Sequence, residues 1–246
     1  DFWGPIIKHV CGTVVECNTA YGGTIGSNRN TTPKHLKVLE EHGWTAFPVD
    51  ILDAEGPDLV VDMPYGKQIK QNFLGKNTTK YNSLLVLSHF KGHPSGGYGG
   101  ALKQLSIGCA SAWGKRNIHS AGHPERGNMN PEPDTFKYAM ADAACSVHKM
   151  FEDQVVYINV MKNLSVDCDC VGFGRAEDPC MKDIGILAST DPVAIDQACI
   201  DLIWNSDDPG RDHFIERVES RNGLLTLAAA QDLGFGSREY ELIEVE

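Results

Sequence analysis

The chain has no run of about 18 apolar residues that could form a membrane helix, and no basic stretch followed by an apolar core of the secretory kind at its start. Both absences lead us to expect a cytoplasmic protein with no membrane partner. It is also short of positive charge. Lysine and arginine number 22 against 33 acidic side chains, a formal charge of -11. Phosphate backbones are held by clustered Lys and Arg, so nucleic acid is not an expected partner, and a small-molecule ligand is. An initiator methionine is missing too: the chain runs from Asp1 straight into an apolar FWGPII segment. We therefore expect an N-terminal piece that is truncated or not represented. Neither the Walker pattern nor GxGxxG occurs, which leaves no nucleotide-binding signature. No repeat of fixed period and no dividing linker is visible, so residues 1–246 read as one domain.

What the chain does have is cysteine and histidine, eight of one and nine of the other. In an acidic, non-secreted chain, cysteines are expected as ligands or buried thiols rather than as a disulfide framework. Cys145 and Cys199 fall in apolar helical patterns and read as core. The backbone grammar is a β-branched run, a polar or Gly-rich loop, then an amphipathic helix, several times over. It predicts an α/β fold with a mostly parallel or mixed sheet flanked by helices. Strands are expected at 12–16, 45–51, 83–87, 155–160 and 184–188, with a closing strand at 239–245. Helices are expected at 33–42, capped by Thr32 and stopped by Gly43, and at 101–112, 136–151, 192–204, 212–219 and 226–233. The stretches 89–100, 114–134 and 162–183 are expected to be irregular, and 53–80 reads as an excursion from the sheet.

The densest chemistry lies in SHFKGHPSGGYGGALKQLSIGCASAWGKRNIHSAGH, residues 88–123. It contains His89, His93, Cys109, His119 and His123. Imidazole and thiolate are preferred ligands for Zn, Ni and Fe, and such a set can close a tetrahedral site or leave a position for substrate. The alternative reading makes these histidines loop residues that tie backbone to the sheet. Gly96, Gly97, Gly99 and Gly100, just ahead of a predicted helix, could expose amides to an anion, with charge added by Lys91, Lys103 and Lys115. They could equally serve a tight turn and close packing. A second cluster, VDCDCVGFGRAEDPC, offers Cys168, Cys170 and Cys180 as ligands to a metal ion or an iron-sulfur cluster, with Cys17 or Cys11 as a further donor, or as a redox-sensitive thiol pair. Asp191 before Pro192 reads as a helix N-cap, Asp196 could point to the same end of the sheet, and Lys162 follows a predicted strand.

Several strings together resemble one family: CNTAYGG, EEHG, LLVLSHFKGHPSGGYGGALKQLSIGCAS followed by GKRNIH, NVMKNLSVDCDC, and DIGILASTDPVAIDQACIDL. They are similar to the domain-of-unknown-function family DUF362, from about Cys17 to the C-terminus. Many of its members carry a ferredoxin-like module with two four-cysteine motifs and are labelled iron-sulfur proteins. This chain has no CxxCxxCxxxC and is similar to the form without that module. The shared SHFKGH, GCAS and NIH core implies functional roles for His89, His93, Cys109 and His119. The family is also similar in architecture to the N-terminal domain of nickel-dependent lactate racemase, which would make the histidines metal or acid/base residues acting on a small carboxylate. Two readings follow. In one, the protein is a metal-dependent enzyme acting on a small anionic substrate. In the other, it is a non-catalytic iron-sulfur or metal-binding electron-transfer protein.

Overall fold

The structure, a computed structural model, describes residues 3–21, 28–126, 132–152, 154–168 and 176–245. It is a mixed α/β fold. Helix α1 (Trp3–His9) leads into β1 (Val14–Glu16), which pairs in parallel with β2 (Val49–Ile51) across helix α2 (Thr32–Glu41). An antiparallel pair, β3 (Leu59–Asp62) with β4 (Gln71–Leu74), forms the excursion. The main sheet has the order β5 (Leu84–His89), β8 (Val155–Met161), β9 (Gly185–Ser189), with β5 parallel and β9 antiparallel to β8. Between β5 and β8 lie the hairpin of β6 (Lys91–His93) and β7 (Gly97–Gly99), then α3 (Ala101–Lys103), α4 (Ala112–His119) and α5 (Pro133–Phe151). Helices α6 (Pro192–Trp204), α7 (Arg211–Ser220) and α8 (Leu225–Asp232) complete the chain. Among the described residues no helix is long and apolar enough to cross a membrane.

Alternation along β8 buries Val155, Tyr157, Asn159 and Met161 and exposes Val156. The buried set joins Leu102, Leu105, Ala144, Ile200 and Ile203 in the main core, which also contains Cys145 and Cys199 as expected. Apolar burial of this extent is the main stabilising term of the fold. Helix α6 starts as its sequence requires: the Asp191 side chain accepts from the amides of Val193 and Ala194 at 2.8 and 2.9 Å, with Pro192 in the first turn.

The structure departs from the sequence expectations in five places. Residues 89–100 are a hairpin and not a loop, because the glycines permit the tight β6–β7 reversal. The helix predicted over 101–112 is α3 continued by a π-turn that ends at Gly108. The stretch from Gly114, expected to be irregular, belongs to α4, where Ser111 is the N-cap and accepts from the Gly114 amide at 3.0 Å. Glycine weakens a helix interior, but a Cβ at position 114 would collide with the carbonyl oxygen of Phe73. Helix α4 approaches β4 that closely. Finally, the tail 239–245 forms no strand: Leu242, Ile243 and Val245 are exposed, and the tail is fastened only at its base, where the Ser237 amide donates to Asp191 and the Tyr240 hydroxyl to Asp201. The strand expected at 45–51 is shortened by a 3-10 turn at Trp44–Ala46.

Candidate functional site

Some of the sequence-selected residues fall into two groups, one at each end of α4, and the others stand apart. At its C-terminal end, His119 donates from Nδ1 to the carbonyl of Lys115, 2.7 Å away. A carbonyl only accepts, so the proton is on Nδ1 and the neutral ring carries a bare lone pair on Nε2. Burial pushes the pKa of His119 down to about 4, with the Lys115 carbonyl pulling the other way, so the ring is neutral at pH 7. It stacks on Phe136 with centroids 4.9 Å apart. His119 is half-buried and opens into a cleft of about 480 Å³ lined also by Ser95, Asp134, Lys137, Glu219, Arg221 and Asn222.

His93, at the end of β6, backs this cleft through Ser95. Its Nδ1 accepts from the amides of Ser95 and Gly96 at 3.2 and 2.8 Å, which puts the proton of the neutral ring on Nε2. Burial lowers its pKa and contact with Cys168 opposes this. A ring that accepts at one nitrogen and carries hydrogen on the other donates a hydrogen bond and has no lone pair for a metal. Cys168 is buried beside it.

The cleft's cations come from elsewhere in the chain. Arg221 follows α7, and its Nε donates to the Pro94 carbonyl at 2.7 Å; its terminal nitrogens have no partner among the described residues. The Lys137 side chain is 1% exposed, donates to the Pro133 carbonyl at 3.0 Å and stands 3.6 Å from Asp134. Burial lowers its pKa and Asp134 raises it.

At the N-terminal end of α4 the valences are closed. Asp53 accepts from the amides of Asn18 and Ala112 at 2.8 and 3.0 Å. Ser111 donates to Asp58 at 2.6 Å. The Cys17 thiol donates to the Cys109 carbonyl at 3.4 Å, and burial raises both thiols, that of Cys109 to about 12. Lys115 is buried with its ammonium on the Ala110 carbonyl at 2.5 Å. His35, 1% exposed, lies beside Asn18 and is pushed down to about 4 by its burial.

The other selected residues stand apart. His89 donates from Nε2 to the Lys162 carbonyl at 2.6 Å, and His123 is a surface residue 3.4 Å from Glu125. The Cys180 thiol contacts the Leu164 carbonyl at 3.4 Å. Cys170 lies outside the described residues. The buried glycines 96, 97, 99 and 100 form the β7 strand and its flanks, and the helix amides that follow them already hold an anion of the chain's own: the Ala101 and Leu102 amides donate to Asp196 at 2.7 and 3.0 Å. A Cβ at Gly100 would collide with that carboxylate. Among the described residues no three His, Cys, Asp or Glu side chains are placed to hold a metal ion. Lys137, Glu219 and Arg221 were not foreseen; the first two sit in ordinary amphipathic helices and the third just after one, and no local motif sets them apart.

Comparison with curated proteins and with solved structures gave no match. One family model does match, over residues 6–201, that of the domain of unknown function DUF362. The matched span contains both ends of α4 and stops short of Glu219 and Arg221. It takes in most of the chain, which therefore belongs to the DUF362 family.

Proposed function

We propose that the protein is an enzyme that binds a small anionic molecule in the cleft at the C-terminal end of α4 and uses neutral His119 as its proton acceptor. The observation that carries this reading is the His119 ring. Its Nδ1–H is fixed on a backbone carbonyl, its face is stacked, its Nε2 carries a bare lone pair, and the residue lines a cleft together with Lys137 and Arg221. A general base needs that combination of a fixed ring and an open lone pair, and an anionic ligand beside the ring raises its pKa from about 4 toward the range where it accepts a proton well. Arg221 presents a planar fork suited to a carboxylate or phosphate, and Lys137, paired with Asp134, lines the same cleft. Calorimetric titration with short-chain carboxylates and with inorganic phosphate tests the reading. Binding of at least one of them, weakened in Arg221→Gln, is the expected result; binding of neither, or binding indifferent to the substitution, overturns it.

A metal-dependent version draws support from the same ring. Metal-binding histidines commonly donate one N–H to a carbonyl and offer the other nitrogen, as His119 does. His119 and Cys168 have the donor chemistry for Zn, Ni or Fe, with Cys170 two residues further on; His93 in its acceptor arrangement does not, and Cys109 and Cys180 are placed elsewhere. Such an ion, when bound, would polarise a substrate oxygen. Elemental analysis of protein purified without oxygen and without a metal-binding tag decides this. Near-stoichiometric metal that is lost in His119→Ala supports it, iron with sulfide and a broad visible band points to the electron-transfer alternative, and absence of metal leaves the base reading alone.

A further inference from the structure

The charges around the cleft are balanced, and they are not all used. Lys137 has Asp134 as its counter-ion at 3.6 Å, and Asp134 also accepts from the Asn222 side chain at 3.1 Å. Glu219 and Arg221, two residues apart at the end of α7, both line the cleft, yet they form no ion pair with each other. Among the described residues neither carboxylate oxygen of Glu219 has a partner, and the terminal nitrogens of Arg221 have none. An anion and a cation, the latter held at its Nε by the Pro94 carbonyl, thus line the same cleft, together with the neutral proton acceptor His119.

From this arrangement we infer that the ligand is a small zwitterion, a molecule of the α-amino acid class with a carboxylate and a protonated amine on neighbouring atoms. The inference rests on the anion-binding reading and narrows it. A dianion would satisfy Arg221 but bring a second negative charge against Glu219, and a simple cation would do the reverse against Arg221. A zwitterion satisfies both, with its carboxylate on the guanidinium fork and its ammonium donating to Glu219. A charged acceptor in the cleft favours an analogue that carries the matching charged donor over one that lacks it. Phe136, Pro94 and Pro133 give the same cleft an apolar wall for a side chain, and about 480 Å³ is room enough for an amino acid with one.

The test is calorimetry on the whole chain with three matched probes: an α-amino acid, chosen from a pooled screen of the common ones, the carboxylic acid that lacks its amine, and the amine that lacks its carboxylate. The amino acid should bind about tenfold or more tightly than either. Glu219→Gln should abolish the preference over the carboxylic acid while leaving the affinity for that acid unchanged, and Arg221→Gln should weaken both acids about tenfold. Both side chains are exposed, so the variants keep the fold. A carboxylic acid that binds as tightly as the amino acid overturns the zwitterion while the anion reading stands. An amine that binds as well as the amino acid, or no binding by any probe, overturns both.

Discussion

The two ends of α4 contain the same kinds of side chain and use them in opposite ways. At the N-terminal end the histidine, lysine and thiols, His35, Lys115, Cys17 and Cys109, face each other and the backbone. Their hydrogen bonds close inside the protein, and Asp53 takes the place an external anion might have had at the helix start. At the C-terminal end His119, which lines the cleft, gives one nitrogen to the backbone and has no partner on the other among the described residues, and Arg221 gives up only its Nε. Residue type does not separate a closed cluster from an open one. The number of valences left open to solvent does.

That contrast can be broken or sharpened by four measurements. The largest effect is expected at the closed end. Asp53→Ala leaves two amides without their acceptor and should cost about 2–3 kcal/mol in urea unfolding; a loss below about 0.5 kcal/mol would mean that water replaces the carboxylate easily and that this end is not closed at all. Next is pH. His35 and His119 both have folded pKa values of about 4, below the ordinary 6.5. The folded state therefore disfavours the charged rings. Stability is whole above about pH 6.5, falls as the unfolded chain takes up protons below that, and levels off near pH 4. Buried His35 alone should account for a loss on the order of 1–2 kcal/mol between pH 7 and 5, and His119 for less because it is open to the cleft. Asp196, raised to about 6 by burial against the hydrogen bonds it accepts, acts with the opposite sign and offsets part of the fall. His35→Gln should flatten the thermal-stability profile more than His119→Gln does, and equal flattening would erase the distinction between the ends. Third, His119→Gln should weaken ligand binding about tenfold while changing stability by less than about 1 kcal/mol. The smallest effect is kinetic labelling. Iodoacetamide at neutral pH should modify exposed Cys11 well before Cys17 and Cys109, whose burial raises their thiol pKa values; early labelling of Cys109 would show that the closed end opens.

Much of the frame could be read from the sequence because its signals are local. SLLVL, the long pattern ending at Phe151 and the Asp-Pro start at Asp191 each specify their element within a few residues, and β5, α5 and α6 form there. Where tertiary contact decides, local reading failed. Gly114 argues against a helix until Phe73 is seen against it, and the alternating tail 239–245 looks like a strand but pairs with no described strand. The site followed the same rule. His119 could be singled out by its company of histidines and cysteines, although its role depends on which nitrogen the Lys115 carbonyl takes. The seemingly equivalent His93 is held as an acceptor by two amides, which no spacing in the sequence expresses. Arg221 and Lys137 reach the cleft from distant helices and carry no signal of their own.

The carboxylates that fasten backbone amides also bear on how the chain folds. Asp196 holds the amides of residues 101 and 102, Asp142 those of 67, 68 and 69, Asp53 those of 18 and 112, and Asp191 that of 237. Each of these joins closes a loop of 35 residues or more. The entropy of closure must be met before the hydrogen bonds form, so these joins belong late on the folding path, after the local helices. Substitutions at the clamping aspartates should then accelerate unfolding far more than they slow folding. The lifetime of the native state, more than the speed of reaching it, is what these buried carboxylates control.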